Sequence, residues 1–255
     1  MLYGQNIMHP VSNSDYKIKR ITVLNSKGGC GKSLLCTNIA SIFAANNLRT
    51  TLIDYDPQGT SIRWLKKRPE RFPSIHGIDA SQKNQGVTRS WQMRVPAGTD
   101  RMVIDTPAGV RGLELNDFVI NSDYIIIPVT PSDGDIHATT RLIADLLLHV
   151  KIRSFDIKVG VVANRVKKNT KILTQLDKFL EQVKFPFIAK LRDTQNYVNA
   201  AEQGIGIHEI YPPSLVKKDV ADWDTIIEFL EDSGTLHDHK ELPPPLSNDS
   251  KQANN

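Results

Sequence analysis

Ile21-Thr22-Val23-Leu24-Asn25-Ser26-Lys27-Gly28-Gly29-Cys30-Gly31-Lys32-Ser33-Leu34 is the stretch on which the reading turns. Its first four residues form a short apolar run rich in β-formers. A glycine cluster follows. From Leu34 to Ala45, Leu35, Ile39, Ile42 and Phe43 recur at helical spacing. Asn46-Asn47 supply a stop, because Asn tolerates the left-handed cap. The order is strand, glycine turn, helix, and in that context the turn reads as a phosphate cradle. Glycines let backbone N–H groups converge on phosphate oxygens with no Cβ in the way. The helix start adds free donors and a favourable dipole. Lys32 can place a charge on the β and γ phosphates, and the Ser33 hydroxyl can ligate magnesium. The strict pattern G-x-x-x-x-G-K-S/T asks for Gly at position 26. This chain has Ser26 there, followed by Lys27.

Outward from this stretch the alternation continues. Thr51-Leu52-Ile53 is strand-like and Thr60 to Lys67 helical. Ile75 to Ala80 and Met102-Val103-Ile104 are strands. Tyr124 to Val129 reads as a strand buried on both faces, and Ile136 to Val150 as an amphipathic helix. Lys158 to Ala163 is a strand, Lys171 to Val183 a helix and Phe187 to Leu191 a short strand. Val216 to Leu230 is a helix with Val220, Trp223, Ile227 and Leu230 facing inward. Continuous apolar strands alternating with helices predict an α/β fold: a mostly parallel, twisted sheet with helices on both faces. One domain, 19–234, is expected between a loose polar arm at 1–18 and a polar, disordered tail at 235–255 that carries Pro243-Pro244-Pro245.

Acids end two of the predicted strands. Asp54 and Asp56, in Asp54-Tyr55-Asp56-Pro57-Gln58-Gly59, are two apart on an extended chain and so point the same way. They sit at the carboxyl end of a strand, where parallel sheets bind ligands. Taken alone, the pair reads equally well as a surface turn. Asp105 ends Met102-Val103-Ile104 and suits a magnesium-holding acid, directly or through water. Asn164 ends the strand Val161-Val162-Ala163. Its amide offers a donor and an acceptor side by side, or it simply caps the strand.

Bulk properties exclude several classes. The chain has 255 residues, 40% hydrophobic and 24% charged, with a formal net charge of +4. Two cysteines, Cys30 and Cys36, are too few for a disulfide framework and predict reduced thiols in a cytoplasmic chain. Cys30 reads as a small residue that fits the loop, with a more acidic thiol as the other reading. No apolar run reaches the length of a membrane span, and the N-terminal segment lacks the apolar core of a signal peptide. Lys151, Arg153, Lys158, Arg165, Lys167, Lys168 and Lys171 cluster with a single acid, Asp156. Such a run is a solvated face or a binding surface for a polyanion. His237-Asp238-His239 has no further ligands near it in sequence and is given no metal role.

Lys27-Gly28-Gly29-Cys30-Gly31-Lys32-Ser33 resembles the deviant Walker A loop of the ParA/MinD ATPases, with its early signature lysine. The resemblance runs from about Arg20 to Leu230. It implies a P-loop ATPase with ATP and Mg2+ as cofactors, bound by Lys27 through Leu34. Lys27 would reach across a homodimer interface to the partner's nucleotide, offsetting the repulsion of two facing triphosphates. Asp56 would position the attacking water, making Lys27, Lys32 and Asp56 the catalytic set. Ser33, Asp54 and Asp105 would surround magnesium. Thr106-Pro107-Ala108-Gly109 resembles the family's switch segment, and Asn164 would contact adenine. Many such ATPases hold DNA without sequence preference. Arg192, Lys167, Lys168, Lys217 and Lys218 are the candidates here. The implied partners are DNA and a ParB-like or cargo-adaptor activator, with nucleoid association and no membrane. The tail, with its three prolines, does not make the basic amphipathic helix of MinD. Iron–sulfur relatives need cysteines beyond the loop. The other function class is a biosynthetic relative, such as a dethiobiotin synthetase or cobyrinate amidase-type ligase. The paired lysines and Asp-Tyr-Asp-Pro-Gln favour the positioning class.

Overall fold

The computed structural model describes residues 17–81, 88, 93–167, 174, 178, 180, 181 and 185–231. The expected tail, Lys168, Lys171, Trp91, the arm up to residue 16 and most of the helix expected from Lys171 lie outside them. The strands are β1 (Lys19–Val23), β2 (Thr50–Asp54), β3 (His76–Asp79), β4 (Arg101–Asp105), β5 (Tyr124–Val129), β6 (Lys158–Val166) and β7 (Phe187–Arg192). They form one seven-stranded sheet in the order β3-β2-β4-β1-β5-β6-β7. Every pairing is parallel. The helices are α1 (Lys32–Ala45), α2 (Thr60–Lys67), α3 (Gly112–Ile120), α4 (Asp133–Leu148), α5 (Gln195–Glu202) and α6 (Lys217–Glu231).

Parallel strands need crossover helices, and these cover both faces. β5 shows the consequence residue by residue. Tyr124 and Ile126 join the core under α1 and α6, with Leu35, Ile39, Phe43, Trp223 and Ile226. Ile125, Ile127 and Val129 join the core under α3 and α4, with Leu115, Val119, Leu142 and Ile143. All six residues of β5 are buried, as the unbroken apolar run predicted. Burying each such isoleucine contributes about 1.5–3 kcal/mol.

One element exceeds its expected pattern. α1 was expected to bury one face, yet Lys32 and every residue from Leu35 to Ala44 are buried. Its second face packs on the segment before α6. Asn38 and Ser41 are tolerated there because Asn38 Oδ1 accepts from Ile207 N at 2.7 Å and Ser41 donates to Asn38 O at 2.9 Å. Asn47 takes the left-handed conformation after α1 (φ 61°), as its sequence suggested. Helices α3 and α5 were not anticipated. α5 had a readable start in Thr194, whose hydroxyl accepts from Asn196 N at 3.4 Å, and an inner face in Tyr197 and Ala200.

The strand order reverses around β1. Sheets of this kind bind ligands beyond the carboxyl ends of the strands at such a point. The register sharpens the location: Asp105 pairs with Val23 on one side and Asp54 on the other. Two acids and the strand feeding the glycine turn therefore end at one level of the sheet.

Candidate functional site

The glycine turn connects β1 to α1. Gly29 (φ 78°) and Gly31 (φ 101°) occupy the left-handed region, where a side chain is strained. At Gly31 a Cβ would also run into the Asn164 amide. The turn is anchored from below by Asn25, which is fully buried. Asn25 Nδ2 donates to Pro128 O at 2.7 Å and to Thr139 Oγ1 at 3.1 Å, and its Oδ1 accepts from Lys27 N at 3.0 Å. Sequence reading gave Asn25 no role. Its position as the residue between a strand and a glycine turn was the available signal.

Lys32, buried, donates from Nζ to Lys27 O at 3.2 Å, so the cradle closes on its own cation. Lys27 is half exposed, with Nζ 3.8 Å from Asp135 Oδ1 on the first turn of α4. Asp135 is a second residue that sequence reading missed. Cys30 Sγ donates to Lys27 O at 3.2 Å, and burial pushes its thiol up. That fits a packing residue, not an activated nucleophile.

Asp105 is fully buried beside the turn. Its Oδ2 accepts from the Ser61 hydroxyl at 2.7 Å, while Oδ1 is buried without a partner among the described residues. Burial raises its pKa to about 6, against the pull of the nearby Ser33 and Ser61 hydroxyls. An orphaned carboxylate oxygen next to Ser33 fits a hard cation such as magnesium. Among the described residues no group of three or more His, Cys, Asp or Glu could hold a metal. A cation here would complete its shell with phosphate and water oxygens, as magnesium commonly does.

Asp54, expected near that metal, spends both oxygens on main chain. Oδ1 accepts from Asp56 N at 3.0 Å and Oδ2 from Ile62 N at 3.1 Å. Burial raises its pKa, and those amides oppose the rise. Asp54 thus shapes the loop that carries Asp56. Asp56 is partly exposed; its Oδ1 accepts from Gln58 N at 2.9 Å, leaving the other oxygen toward the loop surface. The Thr106–Gly109 segment is tied to the turn at both ends. Thr106 Oγ1 donates to Val23 O at 2.8 Å, and Gly109 N to Ser26 O at 2.9 Å.

Asn164 is 1% exposed and does not present a free amide edge. Its Nδ2 donates to Cys30 O at 3.0 Å and its Oδ1 accepts from Arg165 N at 2.9 Å. It braces the phosphate turn, with one amide hydrogen and one oxygen lone pair beyond these two bonds.

The basic run divides. Lys151, Arg153 and Lys158 sit at the amino end of β6. Arg165 and Lys167 sit at its carboxyl end, nine strand residues away, roughly 26 Å at the usual rise. Arg192, at the end of β7, and Lys217 and Lys218, opening α6, share the carboxyl edge. Arg192 is not a bare cation: its Nη2 donates to the fully buried Asp219 at 2.5 Å, and Asn196 Nδ2 donates to the same carboxylate at 2.8 Å. Lys167 lies 3.9 Å from Asp193, and Lys217 and Lys218 are exposed.

Comparison with known proteins follows this geometry. Residues 21–207 match the family model described as the CobQ/CobB/MinD/ParA nucleotide binding domain. The chain is 26% identical over 195 residues to maintenance of carboxysome distribution protein A of Halothiobacillus neapolitanus, covering 74% of this chain and 87% of that one. It is 42% identical over 190 residues to the chromosome-partitioning ATPase Soj of Thermus thermophilus, covering 63% and 76%. Its fold matches that of a plasmid partition protein of Borrelia burgdorferi B31 bound to AMPPNP, with TM-score 0.60 at 17% identity, over 84% of this chain and 99% of that one. With the matched region spanning the turn, both acid-ended strands and Asn164, the chain belongs to the CobQ/CobB/MinD/ParA nucleotide-binding family and is a ParA/MinD-like P-loop protein within it.

Proposed function

We propose that this chain is an ATP-hydrolysing positioning switch. It binds Mg-ATP, pairs with a second copy when loaded, holds DNA without sequence preference and is released when a cargo-bound activator stimulates hydrolysis. The observation that carries this reading is the convergence at one sheet edge of two lysines in a single glycine turn with the orphaned oxygen of Asp105. The names of the partition and carboxysome-distribution relatives support the positioning role.

Within this reading the residues have separate tasks. Lys32 exchanges its contact with the Lys27 carbonyl for β and γ phosphate oxygens. The freed N–H groups of Gly28 to Ser33 line the same anion. Asp105 Oδ1 and the Ser33 hydroxyl would hold magnesium, which would supply positive charge against the phosphates. Asp56, on its partly exposed loop, orients the attacking water. Lys27 leaves Asp135 and turns toward a facing protomer's nucleotide, where a cation offsets the mutual repulsion of two triphosphates. The Ser26–Gly109 backbone link lets the switch segment respond to what the turn holds. Among the described residues no helix is long and apolar enough to cross a membrane.

The test is retention on non-specific DNA with ATP, with ADP and without nucleotide, across a salt series. The expected outcome is binding that needs ATP, falls steeply with salt and accompanies a shift from monomer to dimer by size exclusion. ATP turnover seen only when a small carboxylate substrate is added would instead assign the chain to the ligase class and overturn the switch.

A further inference from the structure

α2 starts directly after the loop that carries Asp54 and Asp56, and its first turn touches two acids on two strands. Ile62 N donates to Asp54 Oδ2 at 3.1 Å. The Ser61 hydroxyl lies 2.7 Å from Asp105 Oδ2, forty-four residues away in the chain. Ser61 is fully buried, and α2 has Gly59 as its N-cap, with no side-chain cap bond. The hydroxyl is therefore not spent on its own helix. Alanine has the higher helix propensity and would serve the packing at this site. What a serine adds is one donor, aimed at Asp105.

The consequence lies in which oxygen remains. The terminal torsion of an aspartate is soft, so a carboxylate held at one point only can swing. With Oδ2 fixed by Ser61, the oxygen left over is Oδ1, which is buried and unpartnered among the described residues. We propose that Ser61 is a positioning residue for magnesium: its hydroxyl fixes Asp105 so that Oδ1 is presented to the cation, and it ties that orientation to the helix that follows the Asp56 loop. The proposal rests on the reading of this site as a Mg-nucleotide site. Partners of metal-holding side chains typically change metal affinity by about 10–100-fold when removed. Ser61 stands in that relation to Asp105. It also links metal to loop, because the same helical turn that holds Asp105 holds Asp54, and Asp54 in turn holds the Asp56 main chain.

The experiment compares the full chain with Ser61→Ala and with Ser61→Cys, which keeps the volume but donates weakly. Circular dichroism establishes that each is folded. A fluorescent ATP analogue is then bound at fixed concentration while magnesium is titrated, and its affinity is measured separately in excess EDTA. The expected result is a magnesium half-saturation raised about tenfold in Ser61→Ala and raised less in Ser61→Cys, with the EDTA affinity unchanged. A merely structural serine lowers thermal stability equally with and without magnesium and leaves the half-saturation at the wild-type value. That result in both variants overturns the proposal. Wild-type protein that binds no Mg-nucleotide at all sinks the site reading beneath it, which is a different result from an unmoved Ser61→Ala titration.

Discussion

Asp105 carries a cost in the nucleotide-free protein. Burial raises its pKa to about 6 from the ordinary 3.8. Below the lower value both the folded and unfolded chains hold the proton, and Asp105 takes nothing from stability. Between the two values the unfolded chain releases the proton first, so stability falls as pH rises. Above about 6 the loss is complete, on the order of 3 kcal/mol for a shift of this size. Asp105→Asn keeps the shape and the acceptor for Ser61 but cannot ionise. Its expected outcome is a nucleotide-free protein that is more stable at pH 7.5 by about 1–2 kcal/mol, since the new amide N–H₂ forfeits part of the gain by lacking a partner. The difference shrinks toward pH 4 in urea melts. The same variant should lose magnesium-dependent nucleotide binding, which marks Asp105 as a group kept for function at the expense of stability. Lys32 makes the complementary case. Its Nζ donates to a carbonyl of its own loop, so Lys32→Ala should leave the melting temperature within a few degrees of wild type. Calorimetry should find ATP affinity reduced at least tenfold to a hundredfold, the value of charge-assisted bonds to phosphate. An unchanged affinity would remove Lys32 from the phosphate site.

At the scale of elements, the helix after the acidic loop is fastened at both ends. Its first turn holds Asp54 and Asp105. Just past its last turn, Arg68 forms a bidentate pair with Glu209, at 2.9 and 2.6 Å, and both side chains are almost fully buried. Glu209 also accepts from Gly206 N at 2.7 Å, and Arg68 donates to Pro73 O at 3.0 Å, so few lone pairs or protons are wasted. Removing one member strands the other charge. Arg68→Met should therefore cost about 3–5 kcal/mol in chemical denaturation, and adding Glu209→Gln should recover part of it. A single-variant loss under 1 kcal/mol would mean the pair relaxes into solvent. This pair also shows where sequence reading stops. Strands were legible because β5 is apolar from Tyr124 to Val129 and β4 runs through Met102-Val103-Ile104 into Asp105. The phosphate turn was legible because glycines and lysines at fixed spacing have one common physical use. Arg68, Ser61, Asn25 and Asp135 were not. Each acts on a partner 44 to 141 residues away in the chain, which no local pattern names. α3 and α5 escaped for a different reason: each buries only a narrow stripe, Leu115 and Val119 in one and Tyr197 and Ala200 in the other.

Over the whole molecule, the sheet sorts the candidate cations by edge. Lys151, Arg153 and Lys158 lie at the edge away from the phosphate turn. Lys167, Arg192, Lys217 and Lys218 lie at the edge that carries it. If ATP governs DNA binding, the second group is the better placed, because it shares an edge with the loops that hold nucleotide. Arg192 is a poor probe of this. It neutralises Asp219, which has no exposure, and Asp222 close by has its pKa raised by burial. Reversing Arg192 to an acid would pile negative charge on a buried carboxylate and disturb the fold before it reported on DNA. Lys217 and Lys218 are exposed, begin a helix and have only their charge to lose. The double change Lys217→Ala, Lys218→Ala should weaken ATP-dependent retention on any DNA sequence alike. It should also flatten the plot of log affinity against log salt by up to about 2 units, close to 0.9 for each phosphate contact released. Lys151→Ala with Arg153→Ala, made in the same way, should leave both affinity and slope where they were. Fluorescence anisotropy with a random duplex over a range of salt reads the two pairs side by side. Loss of slope in the far-edge pair alone would place the DNA on the opposite end of the sheet from the nucleotide, and the coupling between them would then have to run through the length of the strands.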